Sequence, residues 1–420
     1  MLLPTLIFLI AYIFIAFTKV PKSLVVMLGA AVMVLLGLLD SHDALEHIDL
    51  NVILLLACMM ILADITGKTG VFEWAAIRCA QIARGHGFYI MILLCMITAV
   101  ASAFLDNVTT VVLMVPVTIS LCRTLNLDPN RFLVAEIIAS NIGGAATLIG
   151  DPPNIIIGSE AGISFSDFLI HLTPVVVVEL LVLFGLLYLL MGRKVAVSDE
   201  RRTHIMTLDA AAAITDKPLL AKSTLVLALT IVGFITHGFI QVEPAFIALA
   251  GASVLMLIGR IDPAEEFMGV HWTTLFFFIG LFIMVGGLIE NGVLREIQQA
   301  LLNVTGDNFN ILAIGLLWFS GIVSAIVDNI PYTATMVPII IDIVGDDLSS
   351  GISVLWWSLS LGANLGGNFT IVGAAANVLV ADAAKKDGHP ISFLYFLKYG
   401  SVISTGTLLI ASGYLWLRYL

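Results

Sequence analysis

The sequence predicts an all-α polytopic membrane protein built as two inverted-topology repeats, each with a re-entrant hairpin and a broken transmembrane helix. Composition supplies the first part: of 420 residues, 60% are hydrophobic and 12% charged, and apolar runs approaching the ~20 residues that cross a hydrocarbon layer recur along the chain. A duplicated text supplies the repeats, and the re-entrant form of the hairpins rests on the motif it carries. Ser102-Ala103-Phe104-Leu105-Asp106-Asn107 through Met114-Val115-Pro116 returns 222 residues later as Ser324-Ala325-Ile326-Val327-Asp328-Asn329 through Met336-Val337-Pro338. A carboxylate and an amide thus stand side by side, twice, where burial in lipid is expensive and ionisable residues mark function.

Taken in order, the clearest crossings are Leu2 to Thr18, Ser23 to Leu39 and Val52 to Thr66. The first lacks the basic start and small-residue cleavage site of a secretory signal, and aligns with the run beginning at Ser223, so it reads as a retained helix. Val71 to Arg84 mixes Trp74, Arg78 and Arg84 with apolar residues and reads as an interfacial helix, as does its counterpart Val293 to Val304. The two Asp-Asn texts are hairpins. After each comes a segment that interrupts a crossing: Asn141 to Asn154, with glycines and Pro152-Pro153, and Asn364 to Asn377. Phe168 to Leu190, Thr224 to Ile240, Ala245 to Ile258, Thr273 to Ile289 and Phe393 to Trp416 complete the crossings.

The offset of 222 also superposes Gly29-Ala30 on Gly251-Ala252, Gly37 on Gly259, Asp40 on Asp262 and Gly70-Val71 on Gly292-Val293. With one inserted residue, Asn141, Gly143, Gly144, Thr147, Gly150 and Asn154 fall on Asn364, Gly366, Gly367, Thr370, Gly373 and Asn377. Residues 1–191 and 222–420 are therefore read as repeats, joined by a polar linker, 192–221. Five crossings per repeat, or seven if the hairpins cross fully, invert the second copy.

Charge placement orients the chain, because Lys and Arg of short loops stay in the cytoplasm. With the N-terminus outside, Lys19, Lys22, Lys68, Arg78, Arg84, Arg123, Arg131, Arg193, Lys194, Arg201, Arg202, Lys217, Lys222, Arg260, Lys385 and Lys386 fall on the cytoplasmic side, against Arg295 and Arg418 opposite. Both termini are expected outside and the linker in the cytoplasm. The loops Asp40 to Asp49 and Gly345 to Ser350, free of Lys and Arg, are expected outside.

A net charge of -11 argues against nucleic acid as a partner. Cys58, Cys79, Cys95 and Cys122 lack metal-type spacing and read as apolar packing, and no phosphate-cradling glycine loop appears. The chain is not expected to be an enzyme or to carry a cofactor.

The chemistry is expected where the hairpins and breaks converge, as in transporters with paired broken helices. Asp106, Asp151 and Asp328 offer hard oxygens for sodium and sites for a proton. Asn107, Asn141, Asn154, Asn329, Asn364, Asn368 and Asn377 offer neutral carbonyls, and Thr147 and Thr370 join them as candidate ligands. A sodium site is expected at Asp106, Asn107, Asp151, Asp328 and Asn329. Glu179 reads as either a proton relay or a buried structural acid; Glu136 takes the structural reading. Asp64, His237, Asp342 and Glu290 lie near predicted helix ends and read as solvated or snorkelling.

Ser-Ala-Phe-Leu-Asp-Asn-Val-Thr-Thr from Ser102, Val-Asp-Asn-Ile-Pro from Val327, and Gly-Asp-Pro-Pro-Asn from Gly150 resemble the ion-transporter superfamily. The branch they resemble is the arsenite-permease and NhaD-type sodium–proton antiporter family, with Ala103 to Gly158 especially similar to P-protein-like members. The resemblance implies re-entrant hairpins around a central site, Na+/H+ exchange or arsenite and antimonite efflux, and a homodimer. Divalent-anion symporters of the superfamily carry Ser-Asn-Thr tips; Asp106-Asn107-Val108 and Asp328-Asn329-Ile330 depart from that pattern and point away from a dicarboxylate. The expected partners are the lipid bilayer and a small inorganic solute, with Na+ or H+ as coupling ion; a soluble ATPase partner stays open. The alternatives are an ion channel or a sodium-coupled organic-anion transporter on the same fold.

Overall fold

A computed structural model describes residues 1–18, 20–192, 195–305, 309–344 and 354–420. The predicted cytoplasmic residues Lys19, Arg193 and Lys194 and the loop Gly345 to Ser350 lie outside the described residues. The described chain is helical: α1 (Leu2–Phe17), α2 (Lys22–Leu35), α3 (Ser41–Glu46), α4 (Leu50–Lys68), α5 (Val71–Ile82), α6 (Gly87–Leu105), α7 (Asn107–Leu125), α8 (Pro129–Gly144), α9 (Pro152–Ala161) and α10 (Phe165–Met191). There follow α11 (Asp199–Thr207), α12 (Lys217–Ile240), α13 (Pro244–Gly259), α14 (Pro263–Gly269), α15 (Trp272–Glu290), α16 (Val293–Thr305), α17 (Phe309–Ile326), α18 (Asn329–Val344), α19 (Val354–Gly366), α20 (Ala375–Lys386) and α21 (Phe393–Arg418). Eight helical stretches among the described residues are long and apolar enough to cross a membrane.

Local chemistry sets the boundaries. Asp49 caps α4 by accepting from the Asn51 and Val52 amides at 2.9 and 3.1 Å. Ser164 and Asp167 close a reciprocal capping box at the start of α10. Gly162, at φ +63°, ends α9 in the left-handed region that glycine tolerates best.

One part of the molecule packs α2 on α15 and α4 on α13, so helices from each half lie against helices from the other. The approach is close: a Cβ on Gly280 would sit 2.9 Å from the Met27 amide nitrogen. The second part holds the hairpins, α6–α7 and α17–α18. Each hairpin's first arm packs on the helix that follows the hairpin, α6 on α8 and α17 on α19. Only glycine permits this: a Cβ on Gly143 would collide with the Ala99 carbonyl, and one on Gly366 with the Gly321 carbonyl.

Both following helices break where the sequence expected, α8 giving way to α9 and α19 to α20. The same hydrogen bonds fasten each hairpin tip to its break. Ser102 donates to the Ser140 carbonyl at 2.8 Å, Ser324 to that of Ala363 at 2.7 Å. Thr147 donates to the Ala103 carbonyl, as Thr370 does to that of Ala325. Asn154 donates to the Thr147 carbonyl at 2.8 Å, Asn377 to that of Thr370 at 2.9 Å.

The stretch between the halves is less free than a linker reading suggests. The Thr215 amide donates to the Thr69 carbonyl at 3.0 Å, Gln81 to the Leu208 carbonyl at 2.8 Å, and Arg201 to the Thr124 carbonyl at 2.8 Å. These bonds lay the stretch along α5 and the ends of α4 and α7.

Candidate functional site

The half-helix after each break packs on the opposite hairpin, α9 on α18 and α20 on α7, so both tips and both breaks meet. Asn141, Asn154, Asn364, Asn368 and Asn377 are fully buried there, and Asp106, Asp151 and Asp328 are no more than 2% exposed. The asparagines bond across the halves. Asn141 donates to Asn368 and Asn377, both at 2.9 Å. Asn154 accepts from Asn364 at 2.9 Å and from Ser360 at 2.6 Å. Buried amides in low dielectric need such partners. The Oδ1 atoms of Asn107 and Asn364 are carbonyl oxygens with no hydrogen-bond partner among the described residues.

The three carboxylates, alike in sequence, occupy three different situations. Asp106 caps its own helix: Oδ1 accepts from the Val108 and Thr109 amides at 2.8 and 3.2 Å, and Oδ2 from the Thr109 hydroxyl at 2.5 Å. Its backbone is held at φ +83°, a conformation that costs about 1–3 kcal/mol in a non-glycine residue.

Asp151 stands at the N-cap position of α9 yet makes no side-chain cap bond. Pro153 stands where the second helical amide would be offered, and proline has none to donate. Its oxygens turn instead to the tips: Oδ2 accepts from Asn107 Nδ2 at 2.7 Å, and Oδ1 from Asn329 Nδ2 at 3.3 Å. One carboxylate therefore receives an amide from each hairpin. Asn107 Nδ2 also reaches Asn141 Oδ1 at 3.2 Å.

Asp328 accepts from the Ile330 amide at 3.3 Å and pairs with Lys22 Nζ at 2.6 Å. Sequence reading placed Lys22 among the cytoplasmic loop cations; here it opens α2 and reaches the second tip. The signal that could have found it is Pro331, which stands where the first tip has Thr109 and leaves Asp328 short of donors. Ser360, on the Asn154 carbonyl oxygen, was also missed.

The residues expected to hold sodium fall into different situations. Among the described residues no three His, Cys, Asp or Glu side chains gather into a metal cage. Of the expected set, Asp106 is turned into its own cap, Asp328 is held by Lys22, and only Asp151 lies between Asn107 and Asn329.

The remaining acids lie apart from this network. Glu136 accepts from Thr118 at 2.8 Å, and the carboxylate of Glu179 has no hydrogen-bond partner among the described residues. Asp64 pairs with Lys68 at 2.8 Å, His237 accepts from the Phe165 amide at 3.0 Å, and Glu290 lies 3.5 Å from His47, in keeping with helix-end roles. Asp342 is exposed. The four cysteines are buried and free.

Comparison with known proteins places this architecture. In solved structures the chain is similar to the YdaH transporter of Alcanivorax borkumensis, whose structure is described as having an unusual topology, with a TM-score of 0.62 at 14% identity over 99% of this chain and 98% of that one. At that identity the likeness shows the fold. In sequence it is 45% identical to the uncharacterized transporter Mb2703 of Mycobacterium bovis, over 98% of this chain and 97% of that protein. It is 35% identical to the human P protein over 93% of this chain, which spans 56% of that longer protein. The pattern defining the CitMHS family, described as citrate transporters, matches residues 12–362. The chain belongs to that citrate transporter family and is a multi-pass membrane transporter rather than an enzyme.

Proposed function

We propose that this chain is a secondary active transporter, driven by protons or sodium, that moves an inorganic ion or metalloid by alternating access. The observation that carries the reading is the convergence of Asn107 and Asn329, one from each hairpin, on the buried carboxylate of Asp151. A carboxylate removed from water with only amides for company favours a neutralising cation or proton. The Oδ1 atoms of Asn107 and Asn364, without hydrogen-bond partners among the described residues, add neutral oxygen ligands of the kind sodium takes. Na+/H+ exchange, or efflux of arsenite or antimonite as hydroxides bound by hydrogen bonds, suits such a cluster.

In this reading residues 1–191 and 222–420 are inverted repeats, 192–221 is cytoplasmic, both termini are outside, and the broken helices move with the hairpins against the remaining helices. The site residues are those proposed from sequence: Asp106, Asn107, Asn141, Thr147, Asp151, Asn154, Asp328, Asn329, Asn364, Asn368, Thr370 and Asn377.

The family's description favours a second reading, a small organic anion carried with sodium. Three carboxylates against one amine repel a polyanion, so citrate would enter only with cations that neutralise it. Flux into proteoliposomes under imposed proton and sodium gradients separates these. Gradient-responsive sodium, lithium, arsenite or antimonite flux supports the first reading. Citrate flux that requires sodium replaces it with the second. Conductance that no opposing gradient can couple overturns both in favour of a channel.

A further inference from the structure

The two hairpin tips differ at one position with a direct chemical consequence. In the first, Asp106 is followed at the third helical position by Thr109, whose amide and hydroxyl both satisfy the carboxylate. In the second, Pro331 stands there, and proline offers neither group. Asp328 is left with one backbone donor, the Ile330 amide at 3.3 Å. A carboxylate 2% exposed with so little support requires a cation. Lys22 provides it, at 2.6 Å, from a side chain that is itself 28% exposed. The carboxylate is sealed in, while the lysine side chain that reaches it lies partly at the protein surface.

We propose that Lys22 is a tethered cation: it occupies the carboxylate of the second hairpin in the conformation described here, and the coupling or transported cation takes Asp328 only by displacing it. The inference rests on the transport reading and deepens it, because it makes the second tip the exchangeable position and gives the first, self-capped tip a supporting part. Exchange of one cation for another keeps the buried charge compensated throughout, which a carboxylate released into an empty pocket would not be. Lysine suits the role as a compact charge on a flexible stem.

The test reads binding and amine exposure in the full-length, detergent-purified protein at fixed pH. Radioactive sodium is the binding probe. Lys22→Met keeps the aliphatic stem without the charge and is expected to bind sodium at least about tenfold more tightly, the competing occupant having been removed. Lys22→Arg keeps a cation and is expected to bind as the wild type does. Adding Pro331→Thr to Lys22→Met supplies the missing donors and is expected to weaken sodium binding again. A second readout needs no variant: sodium, compared with choline, is expected to raise the rate at which an amine-reactive reagent labels Lys22, over the same concentrations that sodium binds.

Identical sodium isotherms for the wild type and Lys22→Met, or Lys22 labelling indifferent to sodium, overturn the inference and assign the pair to holding α2 against the hairpin. Gradient-driven flux alongside such labelling would leave the transport reading intact. Sodium-dependent labelling in a protein that shows no flux would do the reverse.

Discussion

Asp151→Asn alters one atom of the central cluster and keeps its shape. The carboxylate accepts from Asn107 at 2.7 Å and from Asn329 at 3.3 Å, and an amide in its place presents one oxygen and one NH2. One of the two partners then faces a donor. The shorter bond is the stronger, so the contact with Asn329 is the one expected to fail, and the second tip loses its tie to the first break. A hydrogen bond to a charged group contributes about 1.5–3 kcal/mol. Losing about 2 kcal/mol from the cation-bound state weakens apparent sodium or proton affinity roughly 30-fold, with solute affinity less affected. Stability should move the other way or not at all, because a buried charge disappears. The assay is flux against sodium at fixed pH, flux against pH at fixed sodium, and thermal unfolding of the same preparation. Unchanged cation and pH dependence, or a loss of stability above about 2 kcal/mol, would refute the assignment and leave Asp151 a structural acid.

The cap geometry of the first tip predicts that Asp106→Asn folds normally, since asparagine caps helices about as well as aspartate, whereas Asp106→Ala costs about 1–2 kcal/mol in unfolding experiments. Asp328→Asn leaves Lys22 without its partner and is expected to abolish gradient-driven flux in protein that still elutes as a single folded species. Asn154→Ala takes the acceptor from the Ser360 hydroxyl and the side-chain donor from the Thr147 carbonyl, for a loss of about 2–4 kcal/mol read as a lowered melting temperature. Gly143→Ala meets the Ala99 backbone and should destabilise by about 1–3 kcal/mol; Gly185→Ala, with open space around it, should be neutral or stabilise by up to about 1 kcal/mol. A cysteine at the exposed Ser198 is expected to react with an impermeant reagent in inside-out vesicles; labelling in intact cells would reverse the proposed orientation.

The hairpins and the breaks were legible because the sequence states them twice, and because glycine pairs and a Pro-Pro step cannot continue an ordinary helix at membrane depth. The membership of the buried cluster was legible for the same reason: polar residues in apolar runs must find one another. The division of labour was not. Asp106, Asp151 and Asp328 look equivalent as letters, and what separates them is the supply of donors immediately downstream. Thr109 satisfies Asp106, Pro153 withholds an amide from Asp151, and Pro331 withholds one from Asp328. That rule is written in the sequence and would have singled out the two carboxylates left for other partners. The partners themselves were not readable. Lys22 lies 306 residues from Asp328, and the packing of α2 on α15, which itself lies against α18, brings them together.

A single carboxylate, Asp151, answers to an amide from each half while Ala374 stands at the matching position of the other half, so the two tips share one acceptor. Whatever draws Asp151 away from Asn107 changes the free energy of its bond to Asn329, and by thermodynamic reciprocity the effect runs equally in both directions. In the transport reading proposed above, occupancy at one tip would be felt at the other through this shared carboxylate, without a chain of intermediate residues. A duplicated framework that had kept a carboxylate at both breaks would give each tip its own acceptor; with Ala374 at the second break, the two tips share one.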